Sequence, residues 1–170
     1  YDFDNDGILD LASNGNILIG NGDMTFNLYT SILPSAGSFG DLNTDGFIDA
    51  FSSAGSIYMN DTTTNNWITL NTVGNVSNIN GIGARITIET ALGSQIRDVR
   101  SGDGFRYMNT LNTHFGLGTA TTITSLTVEW PSGIVDVILN PTINQTLNII
   151  EGQNQLSLDE FLLSDLILYP

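Results

Sequence analysis

The chain of 170 residues is long enough for one ordinary domain or two small ones, and 18 acidic against four basic side chains give it a formal net charge of −14. This charge excludes nucleic acid and anionic membrane surfaces as partners, because both require a positive patch. The absence of cysteine excludes disulfide bonds, zinc–thiolate sites and a cysteine nucleophile. The apolar runs are far shorter than the ~20 residues of a transmembrane helix, so we predict no membrane-spanning segment.

Short strands are the predicted secondary structure throughout. Most polar residues are Asn, Thr, Ser and Gly, which disfavour helices and favour strands joined by tight turns. We therefore predict an all-β fold. The predicted strands are, in chain order, residues 16–19, 56–59, 84–90, 95–99, 123–130, 134–139 and 146–150.

The clearest strand pattern predicts a hairpin. Ile86 and Ile88 alternate with polar residues, which is typical of a half-buried antiparallel strand. We predict that residues 84–90 pair with residues 95–99 through a turn at 91–94. Ile86, Ile88 and Ile96 should then be buried.

An internal repeat begins at the first residues of the chain. The segment 2–10 reads DFDNDGILD and recurs at 41–49 as DLNTDGFID, an offset of 39 residues. A period near 40 with several strands per unit is typical of propeller blades. Two units cannot close a propeller, so we expect further blades before Tyr1, in a longer protein.

Each copy of the repeat has the pattern of a calcium loop. Oxygen-bearing side chains stand at positions 1, 3, 5 and 9, and glycine stands at position 6 for the sharp turn. The alternative is that these residues form turns alone, but the clustered carboxylates would repel one another without a cation. Calcium fits better than magnesium, which prefers a tight octahedron, or transition metals, which prefer imidazole or thiolate. The predicted ligands are Asp2, Asp4, Asp6, Asp10 and the Ile8 carbonyl in the first loop, and Asp41, Asn43, Asp45, Asp49 and the Phe47 carbonyl in the second.

These motifs resemble two known families. The first loop and the NILIGNGDMTF segment at 16–26 resemble the FG-GAP or VCBS repeat, a calcium-loop blade. Further motifs resemble the ASPIC/UnbV module of bacterial relatives of cartilage acidic protein; they are NWI at 66–68, GIGARI at 81–86, VRSG at 99–102, HFGLG at 114–118, VEWPSG at 128–133 and NQTL at 144–147. The resemblance implies the last blades of a β-propeller at 1–65, followed by a small antiparallel β-sandwich or barrel-like domain at 66–151.

Residues 152–170 carry a different signal. The ending LILYP at 166–170 resembles the opening strand of the C-terminal sorting domain of type IX secretion in Bacteroidota, and residues 152–159 read as a linker. The resemblance implies a secreted or cell-surface protein whose C-terminus meets the outer-membrane secretion machinery. The alternative is a segment that only caps the β domain.

The four arginines are confined to a short part of the chain. Arg85, Arg97 and Arg100 would form one patch if their two strands pair, able to hold a carboxylate or an acidic sugar. The alternative is that they pair with acidic neighbours such as Glu89, Asp98 and Asp103. The remaining candidates for ligand binding are Phe105, Arg106 and Tyr107. The alternative for the two aromatic residues is that they pack in the core.

The predicted function is non-enzymatic recognition or adhesion, with calcium making the blades rigid for a protein or glycan partner. Its alternative is a carbohydrate-binding accessory module of a polysaccharide-degrading protein. Histidine ordinarily titrates near neutral pH, so catalysis by His114 with Asp98 or Asp103 is a third hypothesis. Because no nucleophile motif accompanies His114, we predict a packed or hydrogen-bonded histidine instead.

Overall fold

A computed structural model describes residues 1–31, 37–60, 64–102 and 108–154. These residues form strands and turns and contain no helix, so none of them belongs to a helix with the length and hydropathy of a membrane span. The first six strands are β1 Leu11–Ser13, β2 Asn16–Gly20, β3 Phe26–Thr30, β4 Gly37–Gly40, β5 Asp49–Ser52 and β6 Ile57–Tyr58. The others are β7 Asn66–Val73, β8 Arg85–Thr90, β9 Gly93–Asp98, β10 Thr113–Gly118, β11 Ile123–Glu129, β12 Val135–Leu139 and β13 Thr146–Ile150.

The strands form four sheets, which confirms the all-β prediction. The order is β1-β2-β3 and β4-β5-β6 in the first part of the chain, and β10-β7-β13 and β12-β11-β8-β9 in the second. The pairs are antiparallel except that β13 runs parallel to β7. Within the described residues the sheets stay open and no barrel closes. A propeller remains a prediction.

The β10-β7-β13 and β12-β11-β8-β9 sheets share one hydrophobic core. Ile68 and Phe115 from the three-stranded sheet, and Ile88 and Val128 from the four-stranded sheet, are fully buried in it. Burying each such side chain stabilises the fold by about 1.5–3 kcal/mol. A smaller core of Phe3, Ile17 and Ile48 lies under the first part of the chain.

The predicted hairpin is confirmed, but Ile96 lies on the other face. β8 pairs with β9, and Ile86 and Ile88 are fully buried. Ile96 is 53% exposed, because it pairs with Thr87 on the face opposite the two isoleucines. The turn is also shorter than predicted, since β9 begins at Gly93.

Six strands were not predicted: β1, β3, β4, β5, β7 and β10. The whole segment 113–118 is a buried strand, although its glycines at 116 and 118 would suit turns in isolation. A β-bulge interrupts its pairing with β7 between Gly116 and Gly118.

Candidate metal centre

Carboxylates organise the backbone of the first Asp-rich loop, residues 2–10. Asp2 accepts a hydrogen bond from the backbone N–H of Gly7 at 2.8 Å, and Asp10 accepts one from Phe3 at 2.6 Å. Gly7 has a φ of +96°, a conformation that favours glycine. The sharp turn therefore depends on glycine at this position, as the pattern predicts.

The second Asp-rich loop, residues 41–49, repeats this geometry. Its Gly46 N–H donates to Asp41 at 2.9 Å, and its Leu42 N–H donates to Asp49 at 2.8 Å. Gly46 has a φ of +89°. The sequence repeat is thus also a repeat of loop geometry.

Three carboxylates of the first loop converge on one point. Asp2, Asp4 and Asp10 each offer an oxygen atom, and these atoms lie within 4.8 Å of one another. Asp6 is not part of this group, and its carboxylate accepts a hydrogen bond from the Ile8 N–H at 2.7 Å. Carboxylate oxygens at this spacing suit a hard divalent cation such as calcium.

The carboxylates of the loops are in unfavourable surroundings. Burial raises the pKa of Asp2 to about 7; the hydrogen bond from Gly7 lowers it, and the charges of Asp10 and Asp6 raise it further. Burial also raises the pKa of Asp10 and, in the second loop, that of Asp49. A bound cation would relieve this repulsion, so the donor set fits calcium.

The second loop differs in charge and exposure. Asn43 stands in the place of Asp4, is exposed, and donates its amide N–H to Asp45 at 2.7 Å. The Phe47 N–H donates to Asp45 at 2.9 Å, just as the Ile8 N–H donates to Asp6 in the first loop. With one carboxylate fewer, the second loop offers a cation less charge.

The first loop covers the free edge of β10. β10 pairs with a strand on one side only, yet all six of its residues are buried. At the edge that does not pair with β7, the Gly118 N–H donates to the Asn5 carbonyl at 2.7 Å, and the Gln95 side chain donates to the Gly116 carbonyl at 2.7 Å. A Cβ built at Gly116 would overlap the Asp2 carboxylate and the Asn5 backbone. The absence of a side chain at Gly116 therefore lets the loop cover this edge.

Asn5 connects both loops with β10 and β7. Its Nδ2 donates to the Gly46 carbonyl at 2.9 Å, so its Oδ1 accepts from His114 Nε2 at 2.6 Å. The Thr69 hydroxyl then donates to His114 Nδ1 at 3.1 Å. Burial and the positive charge of Arg97 lower the pKa of His114 to about 3, so the ring is neutral near pH 7. The prediction of a packed, hydrogen-bonded histidine is confirmed.

Glu151 is a buried carboxylate that sequence reasoning missed. It accepts hydrogen bonds at 2.7 Å from the backbone N–H groups of residues 75–77, and further ones from the hydroxyls of Ser77 and Ser132. Burial raises its pKa, but these hydrogen bonds, led by that of Ser132, lower it to about 2. Because its backbone partners are 74–76 positions away, no local pattern singles it out.

Strands β8 to β13, with His114 and Glu151, occupy one continuous part of the chain. Residues 74–156 match the protein-family model ASPIC and UnbV. No curated protein matches the chain. The family match supports the ASPIC/UnbV part of the sequence resemblance, and residues 74–156 are called the ASPIC/UnbV region below. β7 precedes this region, although it pairs with both β10 and β13.

Within the ASPIC/UnbV region, two of the predicted arginines point to opposite faces of the sheet. Arg85 binds Asp98 through Nε at 2.9 Å and Nη2 at 3.3 Å, in an exposed ion pair. Arg97 pairs with Ile86, the chain neighbour of Arg85, so strand pairing separates the two arginines instead of joining them. The Arg97 guanidinium lies 5.2 Å from the centre of the Phe115 ring.

Arg97 and Arg100 line a common cleft of about 480 Å³ beside the first loop, together with Tyr1, Phe39 and Asn109. This cleft combines two arginines with aromatic and amide side chains, and the carboxylates of Asp2, Asp10 and Asp98 line it as well. Some predicted site and tail residues lie outside the described part of the chain; they are Asp103, Phe105, Arg106, Tyr107 and residues 155–170.

Proposed function

We propose that this protein is a non-enzymatic calcium-binding recognition or adhesion protein, secreted or held at the cell surface. The observation that carries the proposal is the convergence of Asp2, Asp4 and Asp10, in a loop whose hydrogen bonds recur 39 residues later. Calcium takes several oxygen ligands, and extracellular calcium fills even sites of modest affinity.

Two sites are proposed, one in each Asp-rich loop. Bound calcium supplies the positive charge that the clustered carboxylates lack, and holding it would make each loop rigid. The first site consists of Asp2, Asp4, Asp6, Asp10 and the Ile8 carbonyl. The second site consists of Asp41, Asn43, Asp45, Asp49 and the Phe47 carbonyl.

Calorimetric titration of the chelator-treated chain with calcium tests this proposal. We expect two binding sites in the wild type and one in either Asp6→Asn or Asp45→Asn, which change the equivalent aspartate of each loop. Asp23→Asn is the matched control, because it removes the same charge from an exposed turn outside both loops. Absence of calcium binding by the wild type would refute the proposal.

We further propose that both Asp-rich loops belong to FG-GAP or VCBS repeats. In support, each loop leads into an antiparallel hairpin, β1-β2 after the first and β5-β6 after the second.

We also propose that residues 152–170 belong to a sorting domain for type IX secretion, as their sequence resemblance implies. Deleting the residues after Gly152 in the native host should leave a folded protein in the periplasm. If the truncated protein still reaches the cell surface, the deleted segment has no role in export and only caps the β domain.

Binding of an acidic glycan is a second candidate function, favoured by the cleft that Arg97 and Arg100 line with Tyr1 and Phe39. Arginines bind carboxylates, and aromatic rings stack on sugars. Titration with uronic-acid oligosaccharides tests it. Arg100→Ala should weaken binding, and an unchanged affinity in this variant would contradict the candidate function.

A further inference from the structure

We infer that Asn5 is a positioning residue that makes calcium binding at the first Asp-rich loop depend on β10 of the ASPIC/UnbV region. The inference rests on the calcium sites proposed above. Asn5 is not among the proposed ligands, yet it is fully buried. Its side chain reaches Gly46 of the second loop at 2.9 Å and His114 of β10 at 2.6 Å, and its carbonyl accepts from Gly118 at 2.7 Å.

The two loops also differ at the position of Asn5. Thr44 stands in the second loop where Asn5 stands in the first, and the two residues share a left-handed backbone, with φ of 63° and 59°. Thr44 is exposed, and its hydroxyl donates to the adjacent Asn43 carbonyl at 2.6 Å. The two loops therefore have the same local geometry but different surroundings. β10 contacts Asn5 of the first loop, whereas Thr44 of the second loop is exposed to solvent.

The position of Asn5 links these contacts to the proposed ligands. Asn5 lies between Asp4 and Asp6 in the chain, so any displacement of its backbone displaces both. Gly116 of β10 also lies against Asp2 and Asn5, where a Cβ would overlap both residues. A cation that orders the loop therefore favours the loop's contact with β10, and by linkage the contact favours cation binding by the same factor.

The test compares Asn5→Gly with Thr44→Gly in the full chain. Glycine accepts a positive φ at both positions, so each variant removes a side chain without backbone strain. Both variants also carry Asp45→Asn, so that calorimetric titration with calcium reports on the first loop. We expect Asn5→Gly to weaken calcium binding about tenfold or more, within the usual range of coupling between sites, and Thr44→Gly to leave it nearly unchanged.

A second comparison approaches the same contact from β10. Gly116→Ala should also weaken calcium binding at the first loop, whereas Gly102→Ala, in open space, should not. Since Gly116→Ala could fail to fold, hydrogen exchange supplies an independent measurement on the wild type. Calcium should slow exchange of the β10 amides, and Asn5→Gly should remove that effect.

The outcomes separate the two proposals. If the wild type binds calcium, equal affinities in Asn5→Gly and Thr44→Gly with no calcium effect on β10 exchange would overturn the inference and leave the calcium sites in place. If the wild type binds no calcium, the proposed function and the inference both fail.

Discussion

Gly46 of the second Asp-rich loop lies directly against the indole of Trp67, at the start of β7. A Cβ built at Gly46 would overlap the Trp67 ring, and the backbone there has a φ of +89°. Glycine is thus required twice, once for the turn of the loop and once for the contact with β7. This contact joins the second loop to the strand at the centre of the β10-β7-β13 sheet.

Gly46→Ala should lower the free energy of unfolding by about 2–4 kcal/mol, because it adds overpacking against Trp67 to backbone strain. Gly55→Ala is the matched control: its φ is +85°, but a Cβ there would meet open space. Strain alone should cost about 1–2 kcal/mol. Urea denaturation measures both losses, and losses of equal size would contradict the role of the Trp67 contact.

Calcium should stabilise the chain against heat. At a free concentration of about 100 times the dissociation constant, each filled site contributes about 2.7 kcal/mol. Each ion adds two charges, so two ions would change the formal charge from −14 to −10 and weaken the repulsion within the loops. Chelation should lower the melting temperature, and Asp45→Ala should reduce that response. If chelation leaves the melting temperature of a metal-loaded sample unchanged, the result contradicts both proposed sites.

Ile88 and Ile96 should respond differently to truncation, although they lie in paired strands. Ile88→Ala should lower the free energy of unfolding by about 2–5 kcal/mol, because its side chain is fully buried in the shared core. Ile96→Ala should change it by less than about 0.5 kcal/mol, because Ile96 is 53% exposed. Chemical denaturation of the two variants checks the pairing register; comparable losses would mean that the register is wrong.

Glu151 should make stability depend on acid pH. Its pKa is lowered from 4.5 to about 2 in the folded chain, so its contribution is full above pH 4.5 and is lost as the pH falls toward 2. Glu151→Gln should therefore unfold more easily than the wild type at pH 7, and the difference should shrink over that interval. Denaturation at a series of pH values measures it. Exposed Glu129→Gln is the control, and the same pH-dependent difference there would argue against a special role of Glu151.

The sequence by itself predicted the features that depend on near neighbours. The two Asp-rich loops share their geometry because most of their hydrogen bonds join residues two to seven positions apart. The three aspartates and one glycine that both loops have in common are therefore enough to fold them the same way. The β8-β9 hairpin is local too, and the alternation around Ile86 and Ile88 identified its buried face.

Only the tertiary structure decided how these local units contact one another. The Asn5 side chain is bonded to His114, 109 positions away, whereas Thr44 in the equivalent place is exposed. Neither fact follows from the repeat, because both loops have the same local geometry. β10 was missed for the same reason: its glycines suit turns in isolation, and their place in a buried strand depends on distant residues that pack against them. Contacts over such distances depend on packing between elements, which no local sequence pattern encodes.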